Sequence, residues 1–453
     1  MKVVKFGGSS LASGSQLQKV IKILQADPSR KVVITSAPGK RFEDDIKVTD
    51  LLIKYAKAVL AQKETAKITE DIWQRYQEIG DYFQIPAELL QPLKQELLNL
   101  SGQQFSSSDF LVASFKAHGE KLNAQLLTTI LQKKGMPSQF LDPKEAGLIV
   151  TNDPHNAHVL PQTYSNLTDW QNREEILVVP GFYGITENNE IATFSRGGSD
   201  ITGAIMAKGL AADIYENFTD VNAVYAVNPK LVANPVPIKS MTYRELRELS
   251  YTGFSVFHDE ALIPTIEAKI PINVKNTNHP DFPGTLVVPE KDFKPQYTIT
   301  GVASSNHFAA IYLHRYMLNK ETGFTLKLLE IFYKYHISYE HMPSGIDDLT
   351  VIFDKDQFTD ELKEKMCEEI KQTLKPDHLE WIDDYAIIMV VGEGMRNKIG
   401  VLKKIVEPLA QKNIAIHMIN QGASRISIML GTKQADAPKA VAQIYQNFFT
   451  EDK

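Results

Sequence analysis

Cysteine is almost missing from this chain: Cys367 is the single one in 453 residues. One thiol closes no internal disulfide and builds no cysteine-rich metal site, which points to a reducing cytoplasm. A surplus of basic residues is missing too, with 49 Lys and Arg against 55 Asp and Glu and a formal charge of −6. No Lys/Arg block interrupts that balance, so the electrostatic footprint of a nucleic-acid binder is not there. No run of about 18 apolar residues occurs, so no membrane span is expected. The opening MKVVKFGGSS reaches Gly7 after too short an apolar stretch for a secretory leader. What remains is an ordinary globular composition, 43% hydrophobic and 23% charged. The length allows about three domains.

The first half alternates short β-branched runs with helical patterns. Strands are expected over 3–6, 31–35, 176–179 and 213–217, and helices over 16–24, 109–133 and 201–208. This alternation predicts an α/β fold, a mostly parallel sheet sandwiched by helices. Residues from about 48 to 100 carry almost no strand signal and read as a helical insertion. A polar, proline-bounded stretch at 289–296 reads as a linker, giving a first domain over 1–290. Beyond it one order repeats: strand, glycine (Gly323, then Gly400), helix, strand, turn, strand, helix. The repeat predicts two small βαββαβ modules over 298–375 and 380–453, with a strand of the first at 337–342.

Chemistry concentrates at two Gly-Gly turns. Lys5-Phe6-Gly7-Gly8-Ser9-Ser10 follows a strand and precedes a helix. Paired glycines let the backbone approach an anion, and a helix N-terminus offers unpaired N–H groups and a positive dipole. Lys5 adds a point charge able to neutralise a transferring phosphoryl group. The lysine precedes the glycines, so this is not the GxxxxGK[ST] phosphate loop; a tight turn with a solvated lysine fits the same residues. Ser195-Arg196-Gly197-Gly198-Ser199-Asp200 takes the same strand-to-helix position. Arg196 offers a bidentate fork for a carboxylate, while Ser199 and Asp200 suit helix N-capping. Glu120, in His118-Gly119-Glu120, reads on its own as a first-turn acid complementing a helix dipole. Asp220 and Lys230 either hold a nucleotide or shape turns. His258 reads as solvated or structural. No zinc-ligand spacing and no G-x-S-x-G elbow is present.

Taken together, KFGGSS at 5–10, SAPGK at 36–40, DIKVTDLL at 45–52, HGEKLNA at 118–124, PGFYG at 180–184, SRGGSDITGA at 195–204 and TDVNAVY at 219–225 resemble the monofunctional aspartokinases. These belong to the amino-acid-kinase superfamily and carry tandem C-terminal ACT domains. The resemblance covers essentially the whole chain, and no fused homoserine dehydrogenase is expected after the second ACT-like module.

The resemblance implies transfer of the ATP γ-phosphoryl group to the side-chain carboxylate of L-aspartate. This is the first step toward lysine, threonine and methionine, with ATP as co-substrate and Mg²⁺ held mainly by its phosphates and water. By the same resemblance Lys5 and Asp200 are catalytic, Asp200 orienting Lys5. Ser9, Thr49, Glu120, Phe182, Arg196 and Ser199 bind aspartate. Lys5, Gly7, Gly8, Thr219, Asp220, Tyr225 and Lys230 bind ATP. Met317, Gly323, Phe324, Glu340 and Ser344 form an allosteric site for lysine or threonine, and the ACT modules join a homodimer or homotetramer. Two departures stand out: Ser255 replaces a lysine expected at nucleotide phosphate, and Lys230 replaces an arginine. The rival from another class is a catalytically silent amino-acid sensor.

Overall fold

The computed structural model describes residues 1–195, 197–253, 259–291 and 293–450, without the side chains of 259 and 260. Arg196, Ser255 and His258 therefore lie outside the described residues. The chain forms two compact units: Met1–Val224, Pro237–Tyr243 and Ser255–Phe293 make the first; Tyr225–Val236, Arg244–Phe254 and Lys294–Lys453 make the second.

The first unit opens with β1 (Lys2–Phe6), α1 (Gly14–Ala26) and β2 (Arg30–Thr35). The strand-poor stretch becomes three helices, α2 (Val48–Leu60), α3 (Ala66–Tyr82) and α4 (Ala87–Asn99), before the long α5 (Ser108–Lys133). Then come β3 (Ser138–Phe140), β4 (Ile149–Val150), α6 (Gln162–Leu167), β5 (Ile176–Pro180), β6 (Tyr183–Thr186), β7 (Ile191–Thr193), α7 (Gly198–Gly209) and β8 (Ile214–Thr219). The series ends with β9 (Ser240–Thr242), α8 (Tyr243–Tyr251), whose residues from Arg244 on belong to the second unit, α9 (Ile263–Ala268), β10 (Ile272–Asn276) and β11 (Thr285–Val288). Eight strands form one sheet in the order β3-β5-β2-β1-β8-β10-β11-β9. All neighbours are parallel except β10 and β11. The central strands are apolar on both faces, as a sheet covered by helices requires.

Ser107 caps α5 by accepting from the Phe110 amide, and α5 is buried along most of its length. Its Phe115, Leu126 and Leu127 join Val4, Phe6, Leu52, Tyr76 and Leu97 in one core, so α2–α4 are an integral layer of the unit.

The second unit contains β12 (Gly301–His314), α10 (Phe324–Lys334), β13 (Asp348–Asp354), α11 (Asp360–Leu374), β14 (His378–Val391), α12 (Val401–Gln411), β15 (Met418–Asn420), β16 (Ser427–Thr432) and α13 (Ala437–Phe449). The strands of the two modules share one sheet, in the order β13-β12-β14-β16-β15. One expectation is corrected here. The strand expected at 337–342 is reduced to isolated bridges, His341 to Ile352 and Ser344 to Leu349. Pro343, which has no amide hydrogen, interrupts pairing there.

Candidate active site

Parallel strands present their ligands at their carboxyl ends, and both Gly-Gly turns lie where strands of the first unit give way to helices. Lys5 and Asn217 are register partners on β1 and β8, so their side chains share a face. Asp200 reaches the same point from the first turn of α7. Its Oδ1 lies 2.8 Å from Lys5 Nζ and accepts from Asn217 Nδ2 at 2.7 Å. This buried triad fixes the lysine head beside Gly7, where a Cβ would stand 3.7 Å from Nζ.

The remaining loops are pressed together through glycines. The Gly7 amide donates to the Phe218 carbonyl at 3.1 Å. A Cβ on Gly198 would stand 2.4 Å from the Phe182 ring, and one on Gly181 would stand 2.8 Å from Ser199. Phe182 has a left-handed φ of 79°, held by Thr202 Oγ1, which accepts from its amide at 3.0 Å. The insertion braces the 36–40 loop: Arg75 donates to the carbonyls of Gly39 and Ile46 and lies 3.1 Å from Asp45.

These contacts enclose a cavity of about 400 Å³. Of the residues expected on sequence grounds, Lys5, Thr49, Glu120, Phe182, Ser199 and Asp200 line it. Ser9 does not; it is exposed in the short turn after Gly8. Glu120 is not a first-turn acid but sits mid-helix in α5, 5% exposed, and its Oε2 has no hydrogen-bond partner among the described residues. Burial pushes its carboxyl up to about 8, against a backbone hydrogen bond from Ala37 and the nearby charge of Lys116. His118, beside it in sequence, turns away, its Nδ1 2.7 Å from the Ser114 carbonyl and its Nε2 3.7 Å from Glu96.

Lys116, His155 and Phe194 line the cavity without a sequence-based expectation, while Ser36 and Ser195 line it from motifs already singled out but without a role assigned to them. Lys116 carried one available signal, a lysine four residues before Glu120 and hence on the same helix face. Nothing local marked His155.

Thr219 and Asp220 end β8 beside the first Gly-Gly turn, with Thr219 Oγ1 donating to Asp220 Oδ1 at 3.1 Å. Tyr225 and Lys230 belong to the second unit; Tyr225 is half-buried and Lys230 exposed. In that unit Gly323 caps α10 with φ 82°, Met317 is exposed, and Phe324 is buried beneath the Arg315 guanidinium. Ser344 is exposed, and Glu340 accepts from the Tyr251 hydroxyl at 2.6 Å.

The first unit is a mostly parallel α/β sheet with two Gly-Gly turns and a largely buried lysine–aspartate pair between β1 and α7, and residues 1–276 match the model of the Amino acid kinase family. Residues 388–448 match that of the ACT domain. The chain is 45% identical to aspartokinase 3 of Bacillus subtilis over 449 residues, spanning 99% of each protein. It superimposes on the aspartate kinase of Clostridium acetobutylicum with a TM-score of 0.86 at 38% identity, covering 99% of this chain and 100% of that one. Escherichia coli aspartokinase III, in complex with aspartate and ADP, shares the fold with a TM-score of 0.79 at 22% identity, covering 99% and 100%. The chain belongs to the aspartokinases of the amino acid kinase family. Its reaction is the ATP-dependent phosphorylation of L-aspartate. Among the described residues no helix is long and apolar enough to cross a membrane.

Proposed function

We propose that the 400 Å³ cavity is the aspartate pocket, and the buried, unpartnered Oε2 of Glu120 carries that reading. A carboxylate oxygen shut away from water without a donor is costly. The α-ammonium of an amino acid supplies the missing donor and charge. Thr49, Phe182 and Ser199 shape the pocket; Arg196, which lies outside the described residues, is assigned to the α-carboxylate by the family resemblance alone, and Ser9, outside the lining, is assigned to aspartate on the same ground.

The acceptor carboxylate is already ionised at neutral pH, so the step needs no general base. An oxygen of the aspartate side chain bonds to the γ-phosphorus, the bond from that phosphorus to the β–γ bridging oxygen breaks, and ADP leaves with the electron pair. Lys5, oriented by Asp200, neutralises charge on the transferring group; of the two glycines expected at phosphate, the Gly7 amide is already committed to the Phe218 carbonyl, so the Gly8 amide is the one that meets a phosphate oxygen. Thr219, Asp220, Tyr225 and Lys230 hold the nucleotide. Mg²⁺ would be carried mainly by the ATP phosphates and water.

Residues 1–290 form the catalytic domain in this proposal, with the helical insertion at about 48–100. The ACT-like modules, 298–375 and 380–453, join a homodimer or homotetramer in the cytoplasm. They bind lysine or threonine at Met317, Gly323, Phe324, Glu340 and Ser344, with Glu340 answering the effector ammonium. The test is an ATP–Mg²⁺ assay trapping acyl phosphate as hydroxamate, with aspartate, glutamate and N-acetylglutamate, each with and without lysine and threonine. Aspartate-selective turnover lost in Lys5→Ala and lowered by either effector supports the site assignment. Lysine or threonine binding without turnover on any acceptor would overturn it in favour of a sensor.

A further inference from the structure

Lys116 is a cation in the cavity wall to which the reaction above assigns nothing. It lies on α5 one turn before Glu120, so the two heads face the cavity from one helix face. Among the described residues no carboxylate comes within ion-pair distance of its ammonium. Its nearest partners are His155 Nδ1 at 3.1 Å and the Phe182 ring, whose centroid is 5.6 Å away. An imidazole nitrogen facing an ammonium must accept, so this contact occupies one N–H and leaves the positive charge without a counterion. Burial holds the Lys116 ammonium below its usual range, only partly offset by the nearby Glu120. The arrangement suits a cation set to receive an anion from the cavity.

We infer that Lys116 is a specificity-determining residue of the aspartate pocket: it binds the α-carboxylate of the acceptor while Glu120, on the same helix face, binds the α-ammonium. The choice among the substrate's two carboxylates follows from spacing. The α-ammonium and α-carboxylate hang from a single carbon, so their two readers must be neighbours, as Lys116 and Glu120 are. The side-chain carboxylate has to reach the Lys5–Asp200 pair, which comes from β1 and α7 and not from α5. His155 acts as a positioning residue, directing the ammonium along the wall of Phe182. The inference rests on the proposed identity of the cavity and adds a second α-carboxylate contact to it.

The experiment compares L-aspartate with its α-carboxamide, which keeps the reacting carboxylate and the ammonium, in wild type, Lys116→Met and Lys116→Arg. The quantity read is the ratio of kcat/KM for the two acceptors within one preparation, which does not depend on the folded fraction. Lys116→Met is expected to lower this ratio at least about tenfold, through KM for aspartate more than through kcat, with Lys116→Arg restoring part of it. A ratio within about twofold of wild type overturns the inference and leaves the pocket assignment standing. Loss confined to kcat or to KM for ATP also overturns it, placing Lys116 on the phosphoryl group. Wild-type enzyme that turned over neither acceptor would remove the pocket assignment and the inference together.

Discussion

The amide of Gly39 donates to the carbonyl of Gly8 at 2.9 Å, and a methyl on Gly39 would stand 2.6 Å from the Gly8 carbonyl carbon. The first Gly-Gly turn is thus seated on the 36–40 loop, backbone against backbone. Gly39→Ala must push Gly8 out of place. Since small misplacements of positioning groups cost about 100-fold, kcat is expected to fall by roughly 10- to 100-fold. Steady-state kinetics with a melting curve on the same sample separate this from loss of fold.

Arg75 holds that loop from the other side. Its substitution by Ala strips buried partners from Asp45 and from the Gly39 and Ile46 carbonyls. A loss of about 2–4 kcal/mol is expected from leaving the two carbonyls without their donor, Asp45 still being held by Arg41, and is read as a lower urea midpoint. Arg75→Lys keeps the charge without the fork and should recover only part of it.

Lys5→Ala should lower kcat by about 100- to 1,000-fold, the usual scale for removing a preorganised charge from a developing anion. Asn217→Ala leaves the lysine in place but removes the amide that donates to Asp200 Oδ1, so a smaller fall, about tenfold, is expected. A rapid-quench measurement of the phosphoryl-transfer step checks both; an Asn217→Ala effect as large as that of Lys5→Ala would contradict the assigned order.

The site was legible where chemistry and chain order coincide. Lys5, Gly7 and Gly8 are contiguous, and so are Ser199 and Asp200, because a strand-to-helix turn places neighbours in one spot. Asn217 was not legible, because only the register of β1 on β8 brings it to Lys5; Lys116 had a local signal, its place one turn before Glu120 on α5, but nothing in the sequence marked that face as a cavity wall. The fold's sheet and helices were readable from periodicity. The single regulatory sheet was not, since periodicity within β12 or β14 does not say which strand lies alongside.

Glu120 gives the cavity a pH signature. Burial pushes its carboxyl up to about 8, which favours the protonated form at pH 7, and an incoming ammonium favours the ionised form. Aspartate binding at pH 7 should release close to one proton, and KM for aspartate should fall as pH rises toward 8. Calorimetry in two buffers of different ionisation enthalpy measures the release.

The same raised value sets the sign for stability. A carboxyl whose folded value lies above its ordinary 4.5 supports the fold at low pH and withdraws that support as pH climbs through about 8. Glu120→Gln should therefore melt above wild type at pH 9 and lose that margin by pH 5, while binding aspartate poorly.

In the regulatory unit, Glu340 accepts from Tyr251 at 2.6 Å. An effector ammonium on Glu340 competes with that hydroxyl for the carboxylate. Glu340→Gln is expected to raise the half-inhibiting concentration of lysine or threonine at least about tenfold. An unchanged value would place the effector elsewhere.

The shared sheet has an inheritance consequence. β12 and β14 are 14-residue neighbours, so a gene shortened after α11 would not yield a simpler regulator. It would leave one flank of β12 with a long row of unmet backbone donors and acceptors, a template for pairing with other chains. The two modules can drift apart in sequence, but neither can be discarded without making its sibling sticky.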